Sequence, residues 1–227
     1  EAKNLSFRYE EEPILRNISM TIKDGSFTAI IGSNGSGKTT LAKQFNAILT
    51  PGSGNAYVDG IDTKKDEFNA RKNVGFVFQN FEDQLVYSTV EEDIGFGLEN
   101  LEFSQDNVKE TTNQILNKLN IIHLAKRNVN MLSQGQKQLV ALAGVMAMKP
   151  KCIVFDEPTT NLDSSNKKNI LNIIKDLNKK DKNEFLKKIS LVMGQKNQLW
   201  WDLPPVESFL LNKEIYQVPT AQFKTVL

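Results

Sequence analysis

The sequence predicts an α/β fold: an open sheet with a helical segment inserted into it and an antiparallel β leaf in front of it. Three observations carry this prediction. An apolar strand pattern over residues 27–31 leads through a glycine-rich stretch into a helical pattern. A second apolar strand, Cys152–Phe155, ends on two acidic residues, at the strand end where open α/β sheets place their ligand chemistry. Between these two strands, residues 80–149 show mainly helical spacing.

The N-terminal elements follow from alternation and from one proline. Apolar residues alternate over 5–9 and again over 18–22, which predicts two strands of an antiparallel leaf. The helix after the glycine-rich stretch is expected to end near Thr50, because Pro51 disfavours helical geometry in the residue before it. Its apolar face would consist of Leu41, Phe45 and Ile48.

Later elements are predicted in the same way. A buried strand over 74–78 ends on Gln79, and an apolar helix begins near Gln136. The remaining patterns predict a helix over 170–177, a strand over 189–193 and a hairpin over 209–218.

Length and composition limit the possible classes of protein. The 227 residues suffice for one large α/β domain, here a core of residues 1–79 and 150–227 with a helical subdomain of 80–149. A formal net charge of +1 gives no electrostatic reason to expect a nucleic-acid partner. The longest apolar run, Leu139–Met148, is short against the ~20 residues of a spanning helix, so the chain is not expected to cross a membrane by itself.

The glycine-rich stretch fits the phosphate-binding pattern G-x-x-x-x-G-K-[ST] at each fixed position. It consists of Gly32, Ser33, Asn34, Gly35, Ser36, Gly37, Lys38 and Thr39, and Thr40 follows it. Glycines let the backbone wrap an anion, and the loop N–H groups with the helix N-terminus offer partial positive charge. Lys38 adds a full charge for the β- and γ-phosphates, and Thr39 offers a hydroxyl to Mg²⁺. A plain Gly/Ser turn is the alternative, but the strand before it and the helix after it favour nucleotide binding.

The acidic pair after the second apolar strand has a chemical role beside such a loop. Asp156 would hold Mg²⁺ through its water shell, and Glu157 would polarise the water that attacks the γ-phosphate. Without the upstream loop, a polar strand end would be the simpler interpretation. Leu132–Gln136 heads a helix, where Ser133 and backbone N–H groups are able to meet a phosphate, although this stretch taken alone is more simply an ordinary N-cap.

Taken in order, these motifs resemble the ABC transporter ATPase family over nearly the whole chain. The resemblance implies a P-loop NTPase (RecA-like) core, with Asp156–Glu157 as the Walker B pair and Leu132–Gln136 as the LSGGQ-type signature. It adds Tyr9 as the residue that stacks on adenine, Gln79 as the Q-loop glutamine and Asn161–Asp163 as the D-loop.

The resemblance also implies three groups of site residues. The catalytic residues would be Glu157 and Gln79. Mg²⁺ would be held by Thr39, Gln79 and Asp156. ATP would contact Tyr9, the loop residues Ser33, Asn34, Gly35, Ser36, Gly37, Lys38, Thr39 and Thr40, and the signature residues Ser133, Gly135 and Gln136.

Within the family, residues 78–86 and 89–97 look like the energy-coupling factor (ECF) subgroup and its cobalt-importer relatives, which import vitamins or transition-metal ions. The resemblance implies a head-to-tail pair of ATPases, in which the phosphate loop of one and the signature of the other enclose each ATP. It implies a peripheral position at the cytoplasmic face of the membrane, with a transmembrane coupling subunit and a substrate-binding membrane component. Phe81, Val86 and Tyr87 suit either a groove for helices of the coupling subunit or local packing.

Two departures from the family pattern bear on activity. The switch histidine is missing: Met193 or a near neighbour such as Gln195 takes its place, and the sole histidine, His123, is expected at the surface. Gln134 stands where the signature has its first glycine, at a cost on the order of 1–2 kcal/mol if that position needs a positive φ. These faults affect opposite sites of a dimer. A heterodimer with an intact partner would carry one fault in each site and is therefore favoured over a homodimer.

Three classes of function remain. The leading hypothesis is an ATP-hydrolysing motor subunit of an ECF-type importer. The alternative is a catalytically weak, regulatory nucleotide-binding subunit of a heterodimeric pair, which the missing histidine favours and the retained Glu157 disfavours. A soluble ABC protein that acts on ribosomes or DNA is disfavoured by the near-neutral charge.

Overall fold

The computed structural model describes residues 1–159, 162–180 and 190–195, with side chains for 1–159 and 162–174. The strands are β1 (Ala2–Tyr9), β2 (Glu12–Met20), β3 (Phe27–Gly32), β4 (Ser53–Val58), β5 (Ile61–Asp62), β6 (Val74–Val77), β7 (Cys152–Asp156) and β8 (Ser190–Gln195). The helices are α1 (Lys38–Phe45), α2 (Glu67–Asn73), α3 (Val90–Asn100), α4 (Gln105–Lys118), α5 (Gln134–Ala147) and α6 (Ser164–Lys180). The predicted hairpin over 209–218 and residue Asn161 of the D-loop lie outside the described residues.

The predicted antiparallel leaf is confirmed. It is a four-stranded sheet in the order β2-β1-β4-β5, in which β1 pairs antiparallel with both β2 and β4. One face of the leaf is apolar because strand residues alternate sides, and this face covers α1. The buried core between them consists of Ala2, Leu5, Leu15, Leu41, Phe45 and Ala56. The leaf therefore lies directly over the helix that follows the glycine-rich loop.

The second sheet is parallel and has the order β3-β8-β7-β6. Strand β8 lies between β3 and β7, so the glycine-rich loop after β3 and the acidic pair after β7 come to the same edge, the one formed by the carboxyl ends of the strands. This is the edge at which open α/β sheets bind ligands. The predicted last strand is present, although it spans 190–195 rather than 189–193.

The first helix is shorter than predicted. It ends at Phe45 rather than near Thr50, because Ala47 adopts the left-handed conformation with φ 55° and the chain leaves the helix before Pro51 acts. Leu41 and Phe45 are buried as expected. Ile48 lies beyond the helix and is 41% exposed, so its predicted place on the apolar face is wrong.

Residues 80–149 are helical, as predicted, and pack around α5. Helix α5 begins at Gln134 instead of Gln136, because Ser133 caps it two residues earlier. Its central residues are almost fully buried against α3 and α4, and α4 contributes Val108, Thr112 and Ile115 to the same interior. His123 is exposed, as predicted. Among the residues described, no helix has the length and apolar character to span a bilayer.

Candidate active site at the carboxyl edge of the parallel sheet

The glycine-rich loop between β3 and α1 is shaped by two glycines with positive φ. Gly35 has φ 77° and Gly37 has φ 86°, values that residues with a Cβ rarely adopt. At Gly37 a Cβ would also lie 3.0 Å from Leu15 Cδ2, because the leaf packs closely against the loop. The loop therefore needs one glycine for its turn and another for both its turn and its contact with the leaf.

Lys38, the first residue of α1, is held inside the loop by two backbone carbonyls. Its Nζ donates to Gly32 O at 3.1 Å and to Ser33 O at 3.0 Å, and the residue is 8% exposed. These two contacts fix the position of the Lys38 ammonium group. The backbone N–H groups at the start of α1 lie beside it and add partial positive charge. The arrangement is that of an anion site for phosphates.

Thr39 and Asp156 connect the loop to the end of β7. Thr39 Oγ1 donates to Asp156 Oδ1 at 3.1 Å, and Asp156 is 2% exposed. Mg²⁺ prefers oxygen ligands and is usually held by one or two protein oxygens together with phosphate oxygens and water. Among the described residues there is no cluster of three acidic, histidine or cysteine side chains that would bind a metal without such help. The hydroxyl and carboxylate therefore fit Mg²⁺ that arrives with a nucleotide.

Burial raises the pKa of Asp156 above its ordinary value. The hydrogen bond from Thr39 opposes this rise, the charge of Glu157 adds to it, and Lys43 and Lys38 oppose it. Burial is the largest of these effects because removing a carboxylate from water disfavours its charged form. An ionised Asp156 thus costs stability in the folded protein, and a cation bound there would offset that cost.

Asp156→Asn is expected to raise the thermal unfolding midpoint of the nucleotide-free protein at neutral pH. Because the folded state raises the pKa, the ionised carboxylate opposes folding once the pH exceeds the unfolded pKa of about 4. Asparagine keeps an acceptor for Thr39 and removes the charge. Calorimetry should show a gain that shrinks as the pH falls toward about 4. The exposed Asp106→Asn is the control, and a loss of stability at neutral pH would contradict the prediction.

Glu157 directly follows β7 and is paired with Gln79. Gln79 Nε2 donates to Glu157 Oε2 at 3.1 Å, although the two residues are 78 positions apart. Glu157 is 6% exposed, and its φ of 47° places it in the left-handed region. For a residue with a Cβ this conformation costs roughly 1–2 kcal/mol. Such a strained conformation persists only where the surrounding structure holds it, and strained residues of this kind cluster at functional sites.

Glu157→Gly is expected to leave the protein more stable than Glu157→Ala by about 1 kcal/mol. Both variants lose the carboxylate and the bond to Gln79, so their difference reports the backbone conformation alone. Chemical denaturation measures it. The same pair of substitutions at Glu110, an exposed position inside α4, should give the opposite order, because there alanine is favoured by about 1 kcal/mol. Equal stability of the two Glu157 variants would exclude strain.

These groups surround one open pocket of about 360 Å³. Its lining residues are Ile14, Asn34, Gly35, Ser36, Gly37, Lys38, Thr39, Thr40, Gln79 and Glu157. The structure therefore brings together most of the predicted loop contacts and both predicted catalytic residues. Ser33 and Asp156 adjoin the pocket through their bonds to Lys38 and Thr39.

Ile14 was missed by the sequence analysis, and Tyr9 is not among the lining residues. Ile14 lies on β2 and reaches the loop only because the leaf folds over it, so no local signal marks it. Tyr9 is the last residue of β1 and is 47% exposed, with its ring edge-to-face with Phe7 at a centroid distance of 4.9 Å. The ring is accessible, and its predicted stacking on adenine stays a prediction.

The signature residues lie outside this pocket. Ser133 caps α5: its Oγ accepts from Gln136 N at 3.3 Å, and Gln136 Oε1 accepts from Ser133 N at 3.0 Å. Gly135 is packed so tightly that a Cβ would lie 2.4 Å from Asn166 Cγ. Gln134 is the first residue of α5 and is not among the residues with positive φ, so the condition for strain at this position is not met.

The resemblance places the family's switch histidine on the strand after Asp156–Glu157, which is β8. The pairing of β8 with its two neighbouring strands shows which residues lie at this position. Met193 pairs with Asp156 on one side and with Ile30 on the other. Gln195 lies two residues further, opposite Gly32, the first residue of the glycine-rich loop. The register therefore places Gln195 beside the loop and Met193 beside Asp156.

Fold and site together define a P-loop ATPase: an anion-binding loop, a hydroxyl–carboxylate pair suited to Mg²⁺ and a buried glutamate converge at one sheet edge. The ABC transporter family matches residues 15–160, which is more than half of the chain. The chain belongs to the ABC transporter ATPase family, whose members bind and hydrolyse ATP.

Individual relatives agree with this assignment. The energy-coupling factor transporter ATP-binding protein EcfA1 of Clostridium novyi is 44% identical over 79% of this chain and 67% of its own length. The EcfA1 protein of Clostridioides difficile is 46% identical over 78% of this chain and 66% of its own length, so the chain spans about two thirds of these relatives. Among solved structures, CbiO1 of Clostridium perfringens, described as part of the ABC transporter complex CbiONQ, has a TM-score of 0.74 at 33% identity, covering 86% of this chain and 77% of that one. The ATP-binding cassette MJ0796, a dimer bound to ADP and Pi, has a TM-score of 0.72 at 30% identity, covering 85% and 86%.

Proposed function

We propose that this chain is the ATP-hydrolysing subunit of an ECF-type importer for a vitamin or a transition-metal ion. The main observation in favour of ATP hydrolysis is the hydrogen bond between Gln79 and Glu157. This bond holds a buried carboxylate in the pocket that Lys38 also lines, where phosphate would bind. The names of the EcfA1 and CbiO1 relatives support the transport part.

The residues divide the chemical work. Lys38 and the loop N–H groups bind and orient the phosphates, and Glu157 accepts a proton from the attacking water while Gln79 holds its carboxylate in place. Thr39, Asp156 and Gln79 would hold Mg²⁺. Bound there, this ion would supply positive charge that offsets the negative charge developing during phosphoryl transfer.

The position of the signature supports a dimer. Ser133, Gly135 and Gln136 do not line this chain's own pocket, so they would act on the ATP of a second ATPase subunit in a head-to-tail pair that closes on ATP. A heterodimer is the proposed arrangement: Met193 departs from the family in this chain's own site, and Gln134, although it is unstrained at the start of α5, departs where the partner's ATP would bind. Faster catalysis by a purified homodimer than by the complex with a second, different ATPase would count against it.

The segment after Gln79 would contact the transmembrane coupling subunit. Phe81 is 5% exposed and belongs to the interior, which excludes it from the expected groove, whereas Val86 is 65% and Tyr87 41% exposed. The backbone of this exposed pair is held by Asp93 on α3, whose Oδ1 accepts from Val86 N at 2.7 Å and Tyr87 N at 3.0 Å. Our proposal is that the chain lies at the cytoplasmic face of the membrane and binds through these two side chains to a complex that also contains the substrate-binding component.

Asp93→Ala is expected to weaken binding to the coupling subunit about tenfold, because it releases the two N–H groups that fix Val86 and Tyr87. Binding of ATP by the isolated chain should stay unchanged. Affinity for the detergent-solubilised membrane complex measures the effect, and Asp106→Ala, an exposed acid in the first turn of α4, is the matched control. Unchanged affinity would exclude this segment as the contact.

The whole proposal is tested by reconstituting the chain with its membrane subunits and second ATPase in vesicles. ATP-dependent uptake of a labelled vitamin or of cobalt or nickel ions is the expected result. Association with ribosomes or DNA rather than with membranes would overturn it.

One observation favours the second candidate, a regulatory subunit with weak catalysis. Strand β8 places Met193 next to Asp156, and methionine has no strong hydrogen-bond donor for phosphate. The ATP turnover of the Glu157→Gln variant distinguishes the two candidates.

A further inference from the structure

Gln138 on α5 is a buried glutamine whose amide reaches the end of β7. It is 2% exposed, and its Nε2 donates to the carbonyl oxygen of Pro158, the residue after Glu157. A carbonyl oxygen only accepts, so the amide nitrogen must be the group that faces it. A buried side chain from the signature helix thus holds the backbone immediately after the proposed catalytic carboxylate.

This contact matters because Glu157 is held in an unfavourable conformation. Its φ of 47° is disfavoured for any residue with a Cβ, so the backbone on both sides must be fixed. On the preceding side, β7 is paired with β6 and β8. On the following side, Pro158 has a restricted φ and its carbonyl is bound to Gln138.

Helix α5 also holds the segment that carries Gln79. Gln84 Nε2 donates to Ala141 O on α5 at 3.4 Å, and its Oε1 accepts from Phe78 N at 3.3 Å. On the other side of Gln79, Lys137 of α5 forms an ion pair with Glu82. Helix α5 therefore contacts residues close to Gln79 and also the residue that follows Glu157.

We propose that Gln138 is a positioning residue for ATP hydrolysis: it fixes the Glu157–Pro158 backbone and thereby aims the carboxylate at the attacking water. The inference rests on the proposed catalytic role of Glu157. Helix α5, which begins within the signature, would then act in two sites. Gln138 would act in this chain's own site, and Ser133 would act in the partner's site.

Gln138→Met tests the role, because methionine has a similar shape and no donor for Pro158 O. In the complete complex we expect kcat to fall about tenfold or more, with KM for ATP within about threefold, since the phosphate loop is untouched. Gln44→Met is the matched control. Gln44 is also fully buried, and within the described residues neither of its amide atoms has a hydrogen-bond partner, so this change should leave kcat unchanged.

A double-mutant cycle separates positioning from a general structural effect. If Gln138 acts through Glu157, then Gln138→Met should lower single-turnover hydrolysis less than about twofold in a Glu157→Gln background. Should Gln138→Met fail to fold, Gln138→Asn keeps the amide but shortens its reach, and the same loss of kcat is expected.

Two results would overturn the inference. One is a folded Gln138 variant with kcat within about twofold of the wild type. The other is a double variant in which Gln138→Met lowers the hydrolysis rate by the same factor with Glu157→Gln as without it. Neither result would affect the role of Glu157, which the single Glu157→Gln variant tests by itself. If that single variant kept its turnover, the proposed catalytic role would fail and the inference about Gln138 with it.

Discussion

Glu157→Gln is expected to lower ATP turnover at least ~100-fold while nucleotide binding persists, a loss of about 2.7 kcal/mol of transition-state stabilisation. The amide has nearly the shape of the carboxylate, and its oxygen still accepts from Gln79, so the geometry at 3.1 Å survives. It cannot accept the proton of the attacking water. Binding depends on Lys38 and the loop N–H groups, which the substitution leaves in place.

Turnover is measured by phosphate release from the membrane complex, in parallel with binding of a labelled ATP analogue. Glu110→Gln, an exposed change on α4, is the matched control. Intact binding with unchanged turnover would mean that this chain holds nucleotide while its partner performs the chemistry, as the regulatory candidate requires.

Lys38→Ala is expected to weaken ATP binding at least ~100-fold, which corresponds to about 2.7 kcal/mol. The ammonium group is nearly buried and held by Gly32 O and Ser33 O, so it meets phosphate with little loss of side-chain freedom and little screening by water. The substitution removes this charge and also the two contacts that tie the loop to α1.

Titration calorimetry with Mg²⁺ and ATP measures the loss of affinity. Lys72→Ala, an exposed lysine of α2, is the control for a lost positive charge far from the loop. An affinity within about threefold of the wild type would contradict the assignment of the phosphate site to this loop.

The parts of the fold that were predicted correctly are local in the chain. The phosphate loop occupies consecutive residues, and its glycines and lysine act on the backbone next to them. The leaf strands and the strand Cys152–Asp156 also carry their own period-two or apolar pattern.

One wrong prediction and two open questions concern places where a single residue or a distant contact overrides the local pattern. Helix α1 ends at Phe45 because Ala47 adopts a left-handed conformation, which is not expected for alanine. For Phe81 the sequence left docking and local packing open, and its burial in the fold decides in favour of packing. For Gln134 the expected strain depended on a positive φ, and the residue instead begins a helix capped by Ser133 without one.

The sequence by itself determined a glycine-rich loop with the phosphate-binding pattern, an acidic strand end and their order, which together indicate an ATPase of this family. Only the tertiary structure decided which groups meet. Thr39 bonds to Asp156 across 117 positions, Gln79 to Glu157 across 78, and Gln138 to Pro158. These contacts depend on the insertion of β8 between β3 and β7 and on the packing of α5. Spacing along the chain encodes local geometry, whereas such contacts follow from how whole elements pack, which no short stretch of residues specifies.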